Sequence, residues 1–109
     1  MSVAFVLGNG LSRKPIPFDP LKKIGKVYAC NAVYRSHTPD YLVAVDAKMV
    51  NEICQAGAQL RMPVWTNPNR AYKKFKKLNY FEPSLGWSSG PTALWLCCSH
   101  NHQIVYLLG

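Results

Sequence analysis

Uninterrupted apolar runs, separated by polar and glycine-containing segments, are the main pattern along the chain. Five of these runs predict strands, at residues 4–7, 27–30, 41–45, 63–66 and 104–108. Three of them consist mainly of β-branched, aromatic and leucine residues without polar alternation. This composition is typical of strands that are buried on both faces of a parallel sheet.

Helical patterns lie between the strands, over residues 19–25, 46–56 and 89–99. The first two begin with an aspartate and end at a glycine, and the third begins with serine and glycine before a proline; these residues favour helix ends. The third helix is apolar nearly all round, so we expect it to be largely buried. Weaker patterns indicate a short basic helix over 70–77 and a loop, a candidate lid, over 78–87.

Strands that alternate with helices imply a mostly parallel sheet with right-handed crossovers. The sequence therefore predicts an α/β fold, a Rossmann-like three-layer domain with a mostly parallel sheet of about five strands. The 109 residues form a single domain, 1–109, with enough length for one core. No apolar stretch approaches the roughly 20 residues that span a bilayer, and no signal-peptide pattern begins the chain. We expect a soluble, cytoplasmic protein.

Glycines and polar side chains follow the ends of the predicted strands. Ligands bind at the carboxyl ends of parallel strands, near the point where the strand order reverses. A helix N-terminus at that edge offers free N–H groups to an anion. The candidate ligand-binding residues are Gly8, Asn9, Gly10, Ser12, Arg13, Asn31, Asp46, Ser89, Gly90 and Thr92.

Structural roles compete for several of these residues. The turn at Gly8 can simply end a strand, Asn31 can satisfy backbone groups, and Asp46 is a good N-cap. The first turn is neither a Gly-x-Gly-x-x-Gly fingerprint, because Arg13 stands at the third glycine position, nor a P-loop. With five carboxylates in the chain and no nucleophile–base pair in evidence, the sequence assigns no catalytic residue.

The net charge of +8, from 13 basic and 5 acidic residues, favours anionic partners such as nucleotides, nucleic acid or acidic sugars. Five of the cations fall within residues 70–77, interleaved with Tyr72 and Phe75. Such a run is usually a solvated face, but it is also an alternative nucleic-acid interface. Its residues are Arg70, Lys73, Lys74, Lys76 and Lys77.

The cysteines and histidines predict no metal site and no cofactor. Four cysteines lie in apolar surroundings, which favours reduced core thiols over disulfides. The spacing of cysteine and histidine over residues 97–102 matches no standard zinc module. The three histidines fall in predicted surface turns. These residues are Cys30, Cys54, Cys97, Cys98, His37, His100 and His102.

Four segments, 5–12, 27–31, 89–94 and 104–109, occur in the same order in a known family. The first strand ends in Gly-Asn-Gly-x-Ser, the second in Cys-Asn, and a Ser-Gly helix start precedes a strand similar to Ile-Tyr-Leu-x-Gly. The chain resembles the nucleotide-binding core of the glycosyltransferase family 42 sialyltransferases and of related small phage and bacterial proteins of unknown function. Residues 28–49 are closer to the phage-type proteins.

The resemblance implies roles for individual residues. Asn9, Ser12 and Asn31 would contact the nucleotide or its sugar, and a second group would lie by the phosphate, namely Ser89, Gly90 and Thr92. Compared with this family the chain ends early, at Gly109, before the segment that carries a catalytic histidine in the transferases. We therefore expect a shortened version of a longer family, with a binding core and, as its only activity if any, glycosyltransferase-like group transfer.

Three functions stay open at this point. The first is a phage-type protein that binds a nucleotide or nucleotide-sugar-like anion at the strand ends. The second is a basic nucleic-acid-binding accessory protein. The third is a non-catalytic subunit of a homo-oligomer, because an apolar last helix and an open sheet edge need covering.

Overall fold

The computed structural model of this chain describes residues 2–8, 18–82, 84 and 86–108. Its strands are β1 (Val3–Leu7), β2 (Lys26–Cys30), β3 (Tyr41–Val43), β4 (Val64–Thr66), β5 (Leu78–Tyr80) and β6 (Ile104–Leu108). Its α-helices are α1 (Phe18–Ile24), α2 (Ala47–Gln55) and α3 (Ser89–Ser99). Short 3₁₀ helices lie at Asn31–Arg35, Ala58–Leu60 and Arg70–Tyr72.

The described strands form one parallel sheet in the order β5-β4-β3-β2-β1-β6. The predicted α/β, Rossmann-like three-layer fold is therefore confirmed, with one strand more than expected. The additional strand is β5, so the predicted loop over 78–87 is wrong for its first three residues. These residues become a strand because their backbone pairs with β4, with Val64 opposite Leu78.

Each face of the sheet has its own core, because successive side chains of a strand point to opposite faces. On one face, Phe18 of α1 and Val50 and Ile53 of α2 pack against alternate residues of the strands. On the other face, Ala93 and Leu96 of α3 pack against β1, β2 and β3. The helices thus form the two outer layers and the sheet forms the middle one.

The helix ends agree with the sequence patterns at α2 and differ elsewhere. Asp46 is the N-cap of α2, and its Oδ2 accepts a hydrogen bond from the Met49 N–H at 3.3 Å. Asp19, expected as an N-cap, lies inside the first turn of α1, since the helix begins at the buried Phe18. The N-cap of α3 is Ser88, not Ser89 or Gly90 as expected from the sequence.

The expected basic helix over 70–77 is wrong beyond its first turn. The segment forms a 3₁₀ helix at Arg70–Tyr72 and then a non-helical connection to β5. None of the described helices is long and apolar enough to cross a membrane.

The chain reverses direction across the sheet at β1. Strands β2 to β5 follow one another away from one side of β1, and β6 pairs with its other side, with Val3 opposite Ile104 and Leu7 opposite Leu108. α3 makes the return from β5 to β6. The carboxyl ends of β1 and β6 therefore mark the topological switch point of the sheet.

Gly25, which joins α1 to β2, is predicted to be intolerant of any side chain. A Cβ atom there would lie 2.1 Å from the Val3 carbonyl oxygen, and backbone cannot easily yield. We expect Gly25→Ala to lower the free energy of unfolding in urea by about 1–3 kcal/mol. Gly90→Ala is the control: its Cβ would meet nothing within 4 Å, so it should be neutral or stabilising by up to about 1 kcal/mol. Equal unfolding midpoints for the two variants would contradict this account.

Candidate ligand site at the carboxyl edge of the sheet

A cavity of about 340 Å³ lies at the switch point, between the ends of β1 and β6 and the first turn of α3. It is lined by Val6, Leu7, Gly8, Gly90, Pro91, Leu94, Leu107 and Leu108. Two of the ten candidate residues, Gly8 and Gly90, are therefore brought together in one cavity wall. This is the position at which open parallel sheets bind their ligands.

Glycines leave the mouth of this cavity open. The Gly8 N–H donates to the Leu108 carbonyl at 2.8 Å, which holds the ends of β1 and β6 together. A side chain at Gly90 would point into open space. The N–H groups of Ser89 and Gly90 have no partner within the helix, as in any first helical turn, and Pro91 contributes no N–H. Backbone donors thus lie beside a largely apolar wall.

Two candidate hydroxyls hold α3 in place. Ser89 is buried, and its Oγ accepts a hydrogen bond from the Val45 N–H at 3.1 Å, which ties the start of α3 to the end of β3. Thr92 is fully buried and donates to the Ser88 carbonyl at 2.7 Å. Both side chains therefore already have structural hydrogen bonds within the protein.

Asn31 and Asp46 lie at the same edge, after β2 and β3. Asn31 has a φ of 54°, in the left-handed region that asparagine enters more easily than most residues. Asp46 is exposed and caps α2. At the end of β4 the Oδ1 atom of Asn67 is buried without a hydrogen-bond partner among the described residues. The edge therefore presents polar side chains after three neighbouring strands, β2, β3 and β4.

The glycine-rich turn itself falls outside the described part of the chain. Asn9, Gly10, Ser12 and Arg13 are not among the described residues. Their contribution to this site stays a prediction from the sequence.

The five basic residues of segment 70–77 lie beside β5, the edge strand farthest from β6. Arg70 belongs to the 3₁₀ helix that follows β4, and Lys73, Lys74, Lys76 and Lys77 are exposed on the way to β5. A shallow cavity of about 350 Å³ between Arg70, Lys73 and Tyr80 lies beside them. These cations are thus separated from the switch-point cavity by most of the width of the sheet.

A hydrogen-bonded group at the amino edge was not predicted from the sequence. The buried Tyr28 hydroxyl is hydrogen bonded to Nδ1 of His100 and, at 2.9 Å, to Nε2 of His102. His102 Nδ1 lies 2.8 Å from the Ser2 hydroxyl, and the Tyr28 ring stacks on Tyr41. His100 is exposed and His102 is half-buried in the turn between α3 and β6, as expected of histidines in a surface turn, but their shared contact with a core tyrosine was not expected. Their His-x-His spacing before a strand was the one signal in the sequence.

Burial disfavours the charged forms of Tyr28 and His100. It raises the pKa of the Tyr28 hydroxyl far above its usual value, with smaller contributions from Cys97, Tyr41 and Asp40. Burial, and then the neighbouring His102, lower the pKa of His100. The hydrogen bond between Tyr28 and His100 therefore joins neutral partners at neutral pH.

Two buried thiols and one hydrogen-bonded carboxyl among the described residues also have shifted pKa values. Burial raises the pKa of the Cys30 and Cys97 thiols to about 11, so they are weak nucleophiles. Arg35 and then Tyr34 hydrogen bond to Glu52 and lower the pKa of its carboxyl to about 2. No group of three histidine, cysteine, aspartate or glutamate side chains in the described ranges is arranged to hold a metal ion.

Comparison of the chain with models of known protein families, with curated protein sequences and with solved structures found no match. The resemblance to glycosyltransferase family 42 therefore stays a prediction.

The lowered pKa of His100 predicts a loss of stability in mild acid. Because its pKa is lower in the folded than in the unfolded state, the unfolded chain takes up the proton first. The contribution of His100 to the free energy of unfolding is complete above about pH 6.5, the ordinary pKa of histidine. It is lost as the pH falls through the folded-state pKa. We expect the melting temperature to drop between pH 7.5 and 5.5.

His100→Gln should reduce this drop, whereas His37→Gln, which leaves the Tyr28 hydrogen bonds intact, should retain the part due to His100. Thermal melts of the three proteins at both pH values are the measurement. A drop of unchanged size in His100→Gln would contradict the assignment. Glu52 does not interfere, since its carboxyl titrates below the ordinary glutamate pKa of about 4.3.

Proposed function

We propose that the chain binds a nucleotide or a nucleotide-sugar-like anion at the carboxyl edge of the sheet. The observation that carries this proposal is the cavity between β1, β6 and the first turn of α3, at the topological switch point. Ligands of Rossmann-like sheets bind at this position because two neighbouring connections leave the edge in opposite directions there.

The cavity suits a ligand with one apolar and one anionic part. Its volume of about 340 Å³ lies within the usual range for small-molecule sites. Pro91, Leu94 and Leu107 offer an apolar wall to a base. The free N–H groups of Ser89 and Gly90 offer donors to a phosphate, and the net charge of +8 favours an anion over a cation.

Group transfer from a nucleotide donor is the activity that the resemblance supports. In that proposal Asn9, Ser12 and Arg13 position the donor, and no catalytic residue is assigned. Arg13 supplies the cation that the described walls of the cavity lack.

Calorimetric titration with CMP, UMP, AMP and their sugar conjugates tests the proposal. We expect at least one of them to bind, and we expect Arg13→Gln to weaken it about tenfold or more by removing a charged hydrogen bond to the phosphate. Lys14→Gln removes the same charge one residue away and is the matched control. Gly90→Leu, which adds a bulky side chain at the wall of the cavity, should also weaken binding, whereas Gln55→Leu at the end of α2 should not. Absence of any heat with millimolar ligand would refute the proposal.

A second candidate function, nucleic-acid binding, is favoured by the position of the cations. Arg70 and the four lysines lie in the segment that leads to β5, beside the cavity between Arg70, Lys73 and Tyr80, and β5 is about 24 Å from β6 by strand spacing. A phosphate backbone can follow such a segment without entering the switch-point cavity.

Salt-dependent binding of labelled oligonucleotides tests this second candidate. If four lysines contact phosphates of a duplex, the logarithm of the affinity should fall with the logarithm of salt with a slope of about −3 to −4. Replacing Lys73, Lys74, Lys76 and Lys77 by glutamine should remove most of that slope. Replacing Lys22 and Lys23, which are exposed on α1, is the control and should change it little. A quadruple variant with the wild-type slope would exclude this segment as the interface.

A further inference from the structure

We propose that the face formed by α3 and β6, here called the α3–β6 face, binds a second copy of this chain. This inference does not rest on the proposed ligand, although the face includes Pro91, Leu94 and Leu107 of the switch-point cavity, so that a ligand and a second copy would compete for these residues. It rests on three observations: the absence of charge from this part of the chain, a sheet face that is covered by too few helices, and large apolar side chains that stand in solvent.

All charged side chains precede this face in the sequence. No aspartate, glutamate, lysine or arginine follows Glu82, although the whole chain carries a net charge of +8. As far as the described residues are concerned, two copies therefore repel each other least where α3 and β6 meet solvent. An acidic partner would instead favour the segment that leads to β5, where the cations lie. The lack of charge favours a partner whose docking face is uncharged as well, and the chain itself carries such a face.

On this side of the sheet α3 is the one helix among the described residues. It contacts β1, β2 and β3, and a helix about 10 Å wide covers two or three strands spaced about 4.8 Å apart. β6 lies at the edge of the sheet beyond this cover. The register of Val6 opposite Leu107 places the Leu107 side chain on the α3 side, where it is 63% exposed. Among the described residues, β6 is therefore only partly covered on this side.

Apolar side chains continue from this space over the outer side of α3. Trp87 is 48% exposed and Trp95 is 43% exposed. A cavity of about 570 Å³ lies between these tryptophans, Pro91, Leu94 and Cys98, and it shares Pro91 and Leu94 with the switch-point cavity. The α3–β6 face is thus one continuous apolar surface of the kind that marks a protein interface.

The proposed arrangement is two-fold symmetric. The α3 helix of the second copy lies beside α3 of the first and covers its β6, while its own β6 is covered in return. Such an isologous contact closes after two copies, because both subunits use the same surface. The outer tryptophans of each helix then pack against the partner instead of water.

Sedimentation equilibrium over about 1 µM to 1 mM chain, without ligand, tests this proposal. We expect dimers of twice the 12.2 kDa chain mass. Leu107→Lys should weaken dimerisation at least tenfold, since it buries a charge on each side of the contact. Leu60→Lys is the matched control: Leu60 is 60% exposed, lies elsewhere on the surface and should leave the dimer intact. Circular dichroism should show both variants folded.

Trp87→Lys separates this proposal from the ligand proposal, because Trp87 lines the larger cavity and not the one at the switch point. It should weaken the dimer without weakening nucleotide binding, because it removes no wall of the switch-point cavity. A second readout is the reactivity of Cys98, the exposed cysteine, towards a thiol reagent. Alkylation should slow at dimeric concentrations and recover in Leu107→Lys. A wild-type chain that stays monomeric at 1 mM, or a Leu107→Lys chain that dimerises like wild type, would overturn the inference.

Discussion

The return of the chain from β5 to β6 is the constraint on which the other features depend. Five strand spacings of about 4.8 Å separate these two strands. The connection of residues 100–103 is short, so α3 must end within about two strand spacings of β6. α3 therefore lies over β1, β2 and β3 and is the one helix on its side of the sheet in the part of the chain that the structure describes. The same return creates the switch point and its cavity, leaves β6 only partly covered, and is held at the amino edge by the hydrogen bonds from Tyr28 to His100 and His102.

Most of the fold could be predicted because strands buried on both faces leave uninterrupted apolar runs. β1, β2 and β6 follow directly from such runs. β5 leaves no comparable pattern, since Leu78-Asn79-Tyr80 is three residues long, and its backbone becomes a strand through pairing with β4. The contacts of Tyr28 with His100 and His102 join residues 72 and 74 positions apart. A local sequence pattern cannot predict a contact between positions so far apart in the chain.

The candidate site was predictable in position and less so in detail. The rule that parallel strands end at one edge brings Gly8 and Gly90 to the same cavity, as the structure shows. The sequence could not tell that Ser89 and Thr92 use their hydroxyls to hold α3, because those hydrogen bonds depend on where the helix packs. The apolar character of the cavity wall comes from Leu94 and Leu107. Neither residue is polar or a glycine, so neither was among the candidate residues.

The pairing of β1 with β6 also has a consequence for how the chain folds during synthesis. Val3 pairs with Ile104, so the two strands are separated by nearly the whole chain. Contacts of such long sequence separation slow folding, because a large loop must close before they form. While the ribosome makes residues 18–82, β1 can pair with β2 on one side. The backbone hydrogen-bonding groups on its other side stay unpaired until β6 has been made. We expect the sheet to be completed in one late step, once β6 has left the exit tunnel and α3 can settle over the strands.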